Sequence, residues 1–126
     1  MSTSIIPNIA RRKMVEARAG IRTLPPITGF VFGDGGVSKE DGTTLIPDVT
    51  MTKLNNEILR KPYDSRTVVS DVLIRYHADI AEGEMNGKKI SEIGLYDSEG
   101  DLVNVQFFQP HADDLDRGYD IDDDYT

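Results

Sequence analysis

Ile90-Ser-Glu-Ile-Gly-Leu-Tyr-Asp-Ser-Glu-Gly-Asp-Leu-Val-Asn-Val105 is the stretch that decides the fold. Two short apolar-rich runs flank the polar turn Asp97-Ser98-Glu99-Gly100, which ends on glycine, and this is the pattern of a β-hairpin. On a regular strand Glu92 shares a face with Ile90, Gly94 and Tyr96. If that face packs inward, the Glu92 carboxylate needs a partner, and Arg22, Arg60, Arg66 and Arg75 are the candidates. The alternatives are an interface ion pair and an edge-exposed residue. Gly94, between Ile93 and Leu95, has no Cβ. It marks a close approach, either by a neighbouring backbone or by the ring of Phe30 or Phe32.

Upstream of the hairpin, Thr67–Ile80 reads as one long strand. Val68, Val72, Ile74, Tyr76 and Ile80 share one parity, while Val69 and Leu73 break the alternation, so both faces are partly covered. Between the two, Glu82–Lys89 makes a turn, with Asn86-Gly87 suited to positive φ. Ile27–Phe32 is a shorter strand that directs Phe30 and Phe32 to one face and Ile27 and Val31 to the other. Gly33-Asp34-Gly35-Gly36 follows it and opens a loop extending to Asp48, long for a compact domain. Thr50–Lys61 fits a short helix through Met51, Leu54 and Ile58, an irregular segment or an extended linker into the next strand, ended by Pro62.

Ser4–Gly20 has helical spacing, with Ile6, Ile9, Ala10, Met14 and Ala17 on one face. Arg11, Arg12, Lys13, Glu16 and Arg18 take the other. Pro7 suits the first turn, Ser4 or Asn8 the cap, and Gly20 the end. The reading is an α+β domain: a mainly antiparallel sheet, an N-terminal amphipathic helix packed against it and a C-terminal β-hairpin. It occupies residues 1–112. Residues 113–126 form an acidic tail with too few apolar residues to fold alone, expected to be flexible.

Composition excludes several classes of function. With no cysteine there is no disulfide framework, cysteine zinc site or thiol nucleophile. The net charge is −8, of which the segment from Asp113 onward carries −6, and no basic stripe marks a nucleic-acid binder. No apolar run approaches the ~20 residues of a membrane helix.

Catalytic and metal motifs are weak. Gly33-Asp34-Gly35-Gly36 lacks the third glycine of a dinucleotide fingerprint, since Ser38 stands there, and it lacks the Gly-Lys-Ser/Thr of a phosphate loop. Residues 36–40 lack the second glycine of a nucleophile elbow. His77 falls inside a strand and, with His111, is the whole histidine complement, too few soft ligands for zinc or iron. Asp120, Asp122 and Asp124 are spaced like the first ligands of a calcium loop, but Tyr125 stands where that loop needs glycine. Asp97 and Glu99 sit at a hairpin tip, expected to be exposed, where nothing raises a carboxyl pKa. No catalytic, cofactor or metal site is expected.

The order of the elements resembles the N-terminal domain of phage tail-collar fibre proteins over most of residues 1–110. The carrying residues are the helix ending at Ala19-Gly20 and the Gly33-Asp34-Gly35-Gly36 turn after a strand. Leu54, Asn56, Glu57 and Arg60 follow, then a long strand, then Glu92-Ile93-Gly94-Leu95-Tyr96-Asp97 with Gly100 and the return strand. The resemblance implies a non-enzymatic virion component of a phage or prophage-derived tail, assembled in the bacterial cytoplasm. Such a domain attaches a receptor-binding fibre to the baseplate or serves as a fibre adaptor. The implied partners are tail or baseplate proteins and a fibre, with a homo-oligomer, a trimer, as the implied state. No nucleic acid, membrane insertion or cofactor is expected. The alternative is a small β-rich carbohydrate-binding module for host recognition, which would need aligned exposed aromatics.

Overall fold

The structure, a computed structural model, describes residues 3–81, 83–85, 88–110 and 117–123. Strand β1 (Thr3–Ile5) leads into helix α1 (Asn8–Arg18). Then come β2 (Ile27–Gly33), β3 (Glu57–Pro62), β4 (Ser65–Ser70), β5 (Leu73–Ile80), β6 (Glu92–Asp97), β7 (Leu102–Phe107) and β8 (Arg117–Asp123). Among the described residues the strands form two sheets, ordered β1-β7-β6-β2-β3 and β4-β5-β8, with every pairing antiparallel. The protein is therefore α+β and β-rich, with one helix among the described residues, near the N-terminus, as the sequence pattern implies.

The main core joins the two sheets. Phe30, Phe32, Ile93 and Leu95 from the five-stranded sheet meet Tyr76, Ala78, Ile80 and Ile121 from the three-stranded one. The Phe30 and Phe32 rings stack with centroids 5.8 Å apart, and Phe32 meets Tyr119 edge-on at 5.4 Å, geometries the aromatic quadrupole favours. A second cluster of Val31, Leu54, Leu102, Val105 and Phe107 covers the other face of β2, β6 and β7. Ile27 does not join Val31 on that face. A register shift between Ile27 and Gly29 reverses the alternation and turns Ile27 towards the first cluster.

The N-terminal helix begins at Asn8, not Ser4, because Thr3–Ile5 pairs with β7. Pro7 is itself the cap, at ψ 155°, and neither Ser4 nor Asn8 caps by side chain. Gly20 ends the helix as expected, with φ 79°.

The long strand Thr67–Ile80 is instead two strands. β4 and β5 form a hairpin turning at Asp71-Val72, and the broken alternation at Val69 is a bulge between Val68 and Ser70. Val68 and Val72, which share a parity with the buried Tyr76 and Ile80 in the one-strand reading, are 71 % and 75 % exposed.

Of the readings left open for Thr50–Lys61, the short helix is absent and the irregular segment leading into a strand is what forms. Residues 50–56 are irregular, and β3 starts at Glu57 and closes on Pro62 at the sheet edge, where a missing N–H costs no ladder bond. The acidic segment is also not simply a flexible tail. Arg117–Asp123 pairs along its whole length with β5, and Ile121 is buried beside Tyr76. It lacks the apolar content to fold alone, but it can dock. Residues 111–116 (His111 among them), 124–126, Glu82 and the Asn86-Gly87 turn lie outside the described residues.

Candidate functional site

The segments singled out in the sequence converge at Glu92. The β2 ladder places Gly33 between Glu57 on one side and Glu92 on the other. Past Gly33 the chain turns over the Glu92 carboxylate, which is fully buried. Gly35 and Asn56 donate their backbone N–H groups to Oε2, each at 2.8 Å, and Asn55 donates its own to Oε1 at 2.9 Å. Ser91 extends the arrangement, its Oγ accepting from the Gly36 N–H at 2.9 Å. Three amide donors thus hold the buried carboxylate with no cation beside it among the described residues, because a charged acceptor makes the stronger class of hydrogen bond.

The four candidate arginines lie elsewhere. Arg22 pairs with Glu99, Arg60 with Glu57 and Arg75 with Asp122, while Arg66 donates to the Tyr63 hydroxyl. Among the described residues Glu92 therefore has no ion-pair partner, and it is not an exposed edge residue.

This geometry explains the glycines. A Cβ on Gly33 would come to 2.6 Å from Glu92 Oε2, one on Gly35 to 2.7 Å, and one on Gly36 would run into the Ser91 carbonyl. Asp34 accepts from the Asn56 side-chain amide, and the Asn55 amide donates to Gly35 O at 3.0 Å. Gly94 is required by backbone: a Cβ there meets the Asn104 carbonyl across the β6–β7 pair and Leu102 Cδ2 at 3.2 Å, not a phenylalanine ring.

The other end of β6 carries a second cluster. Lys13 is only 4 % exposed, although the helix pattern puts it on the polar face. Its Nζ lies 2.7 Å from Asp97 Oδ2, 2.8 Å from Glu99 Oε1 and 2.8 Å from Asp101 Oδ2. Asp97 is buried too, and its Oδ1 accepts the backbone N–H groups of Glu99 and Asp101. Asp97 is thus not an exposed tip residue. Burial alone would lower the Lys13 pKa, but the hydrogen bonds it donates to Asp101, Asp97 and Glu99 outweigh it and hold the ammonium above its ordinary value. The Arg22 hydrogen bond first, then that of Lys13, takes Glu99 down to about 2. The three carboxylates have the spacing of a metal site, yet a cation would have to displace the ammonium they already surround.

The remaining motif residues support these two clusters. Gly100 has φ 88°, which closes the turn, and its carbonyl accepts from Arg60 Nη1 at 3.2 Å. The Arg60 guanidinium lies 4.4 Å from the centre of the Tyr96 ring and bonds Glu57. Ile93 and Leu95 pack in the main core.

No family model, curated protein or solved structure matches the chain. What the arrangement can do chemically therefore rests on its own geometry. A cleft of about 580 Å³ lies between the β1–α1 segment with β7 and the β5–β8 pair, with Met14, Leu24, Val103 and Asn104 among its walls. Of the acids that also line it, Asp97, Asp120 and Asp122 are engaged by Lys13, His77 and Arg75 respectively. No helix among the described residues is long and apolar enough to cross a membrane.

The Lys13 cluster and the donors of Asn55 and Asn56 are the parts sequence reasoning missed. Three acids within five residues at one turn signal a need for a cation, and Lys13 lies between Ala10 and Ala17 at helical spacing. The amide donors carry no such signal, since any residue except proline supplies an N–H.

Proposed function

We propose that the chain is a non-enzymatic structural component of a phage or prophage-derived tail. In this reading it attaches a receptor-binding fibre to the baseplate or adapts one to it, acting in several copies after assembly in the bacterial cytoplasm. The observation that carries the reading is the convergence at Glu92. The three separated stretches of the family resemblance, 33–36, 54–57 and 92–97, form one hydrogen-bonded unit. Stretches that assemble one structural device resemble a family more specifically than any of them alone.

The 33–50 loop supplies a surface for attachment. A Val37–Thr44 bridge orders it, and Gln109 donates to Gly42 O and Thr44 Oγ1. It therefore does not wait for a partner to become ordered, yet it leaves Leu45, Ile46 and Val49 exposed, Ile46 at 81 %. Apolar residues presented together on an ordered loop favour protein contact. The carbohydrate-binding alternative is less well supported, because Phe30, Phe32, Tyr76 and Phe107 are buried and Tyr96 lies under Arg60.

Capture of tail or baseplate components by immobilised protein tests the proposal. Leu45→Asp with Ile46→Asp should abolish capture at an unchanged melting temperature. Binding to a glycan array without capture of any tail component would replace attachment with host-sugar recognition.

A further inference from the structure

Strand β4 is unlike the other sheet edges. The edges among the described residues are β1 and β3 in one sheet and β4 and β8 in the other. An open edge is a template for another chain, and proteins blunt it by shortness, proline or charge. β1 has three residues. β3 carries Arg60 and Lys61 and closes on Pro62. β8 carries Asp120, Asp122 and Asp123. β4, Ser-Arg-Thr-Val-Val-Ser, has one charge at its start and no proline, and all of its residues are exposed. Val68 and Val69 stand 71 % and 48 % exposed on it, with Val72 at 75 % in the adjoining turn. The bulge at Val69 disturbs only the last pair of the hairpin, and Ser65–Val68 is in regular register with β5.

We propose that β4 pairs with β4 of a second copy of this chain, antiparallel about a two-fold axis near Val68, joining two three-stranded sheets into one. The choice of occupant rests on charge. Arg66 stands at one end of the uncharged run Thr67–Ser70 and Asp71 at the other. Neither has an oppositely charged partner among the described residues. Antiparallel self-pairing brings each Arg66 to the Asp71 end of the opposite strand, so both charges are matched twice by one symmetric contact. Asp64, the next acid along, is turned away and accepts the Asp79 backbone N–H at 2.7 Å. The local patch is thus neutral on a protein of net charge −8, so the general repulsion between copies is relieved there. Such a contact makes pairs, not the threes implied by the family resemblance. It is independent of the attachment proposed above: loss of the two-fold contact would leave fibre attachment standing.

Sedimentation equilibrium of the 126-residue chain tests this. Two strand edges bury less than a standard interface, so a monomer–dimer isotherm is expected in the range of roughly 1–500 μM. Arg66→Asp and Asp71→Arg each oppose like charges at both ends and should weaken dimerisation roughly tenfold or more. Mixing these two variants should restore it. One strand then carries an acid at both ends and the other an arginine at both ends, so each end contact again joins opposite signs. Val68→Lys should give monomer with an unchanged melting temperature, since the side chain has no core contact to lose. A monomer at every concentration, a trimer, a dimer indifferent to both charge variants, or a mixture that fails to reassociate each overturns the proposal. So does a monomer that instead takes up an unrelated extended peptide along β4.

Discussion

Lys13 in α1 and Asp97 at the end of β6 are 84 residues apart in sequence and 2.7 Å apart in space, both buried. α1 has 11 residues, fewer than an isolated helix needs to hold its shape in water. Its ammonium ties it to the hairpin. Removing that charge leaves Asp97, Glu99 and Asp101 facing one another, and breaking one side of a buried pair is far more costly than never having built it. Lys13→Met should destabilise the fold by about 3–5 kcal/mol. Urea unfolding at neutral pH measures it, and a loss near that of an exposed lysine would show that the three acids re-solvate freely.

Glu92 should be nearly as sensitive, though for a different reason. Its carboxylate offers both oxygens to three N–H donors, whereas a glutamine offers one oxygen and turns an NH₂ towards donors. Glu92→Gln should cost about 2–4 kcal/mol, the range for leaving buried charged-group hydrogen bonds unmade. Glu57→Gln loses only a surface pair with Arg60 and should change stability by about 0.5 kcal/mol or less. Equal effects at the two positions would mean that the loop follows the side chain and reseals.

Much of this architecture was legible in the residues. The hairpin showed because its turn, alternation and glycine all fell in one short stretch, and Ala19-Gly20 marked the helix end. The need for a partner at Glu92 was legible too, but its identity was not. Side-chain patterns point towards arginines, while the fold answers with backbone amides that every segment carries. Thr67–Ile80 concealed a hairpin because Asp71-Val72 lacks the Asn-Gly or Asp-Gly signature of a two-residue turn. β8 was hidden by its charge: the carboxylates of Asp120 and Asp122 become compatible with a strand only once His77 and Arg75 of β5 stand opposite them.

The role of β8 can be tested by truncation. Residues 117–123 cover one edge of β5, bury Ile121 and place Tyr119 against Phe32. Losing two such side chains should cost about 3–5 kcal/mol at the usual value of burial. A chain ending at residue 112 should melt well below the full chain and bind a hydrophobic dye. Identical melting curves would reduce β8 to an ornament on an already complete core.

Acid should weaken the hairpin turn. Glu99 is held down at about 2 against an ordinary value of 4.5, first by Arg22 and then by Lys13. A depressed folded pKa adds stability above the unfolded value, and that stability is lost as pH falls through the folded one. The loss belongs between about pH 4.5 and 2. Glu99→Gln should flatten the unfolding free energy in that window and leave its slope above pH 5 unchanged, as urea titrations at successive pH values would show.

His77 should act in the opposite direction and nearer neutrality. Its Nδ1 lies 2.6 Å from Asp120 Oδ1 on β8 and its Nε2 2.9 Å from Asp79 Oδ1, so the protonated ring can donate to a carboxylate on each side. The Asp120 hydrogen bond raises its pKa above 6.5, partial desolvation opposes the rise, and Asp79 adds to it. A raised folded pKa gives stability that is fully present below about 6.5 and lost as pH climbs through the folded value. Because Asp120 belongs to β8, that loss should fall on the β5–β8 pairing first. Amide exchange of residues 117–123 should therefore quicken, beyond the intrinsic base dependence, as pH rises from 6 to 9. His77→Gln should remove the excess, and a wild-type profile that already follows the intrinsic rate would show that the histidine is neutral throughout.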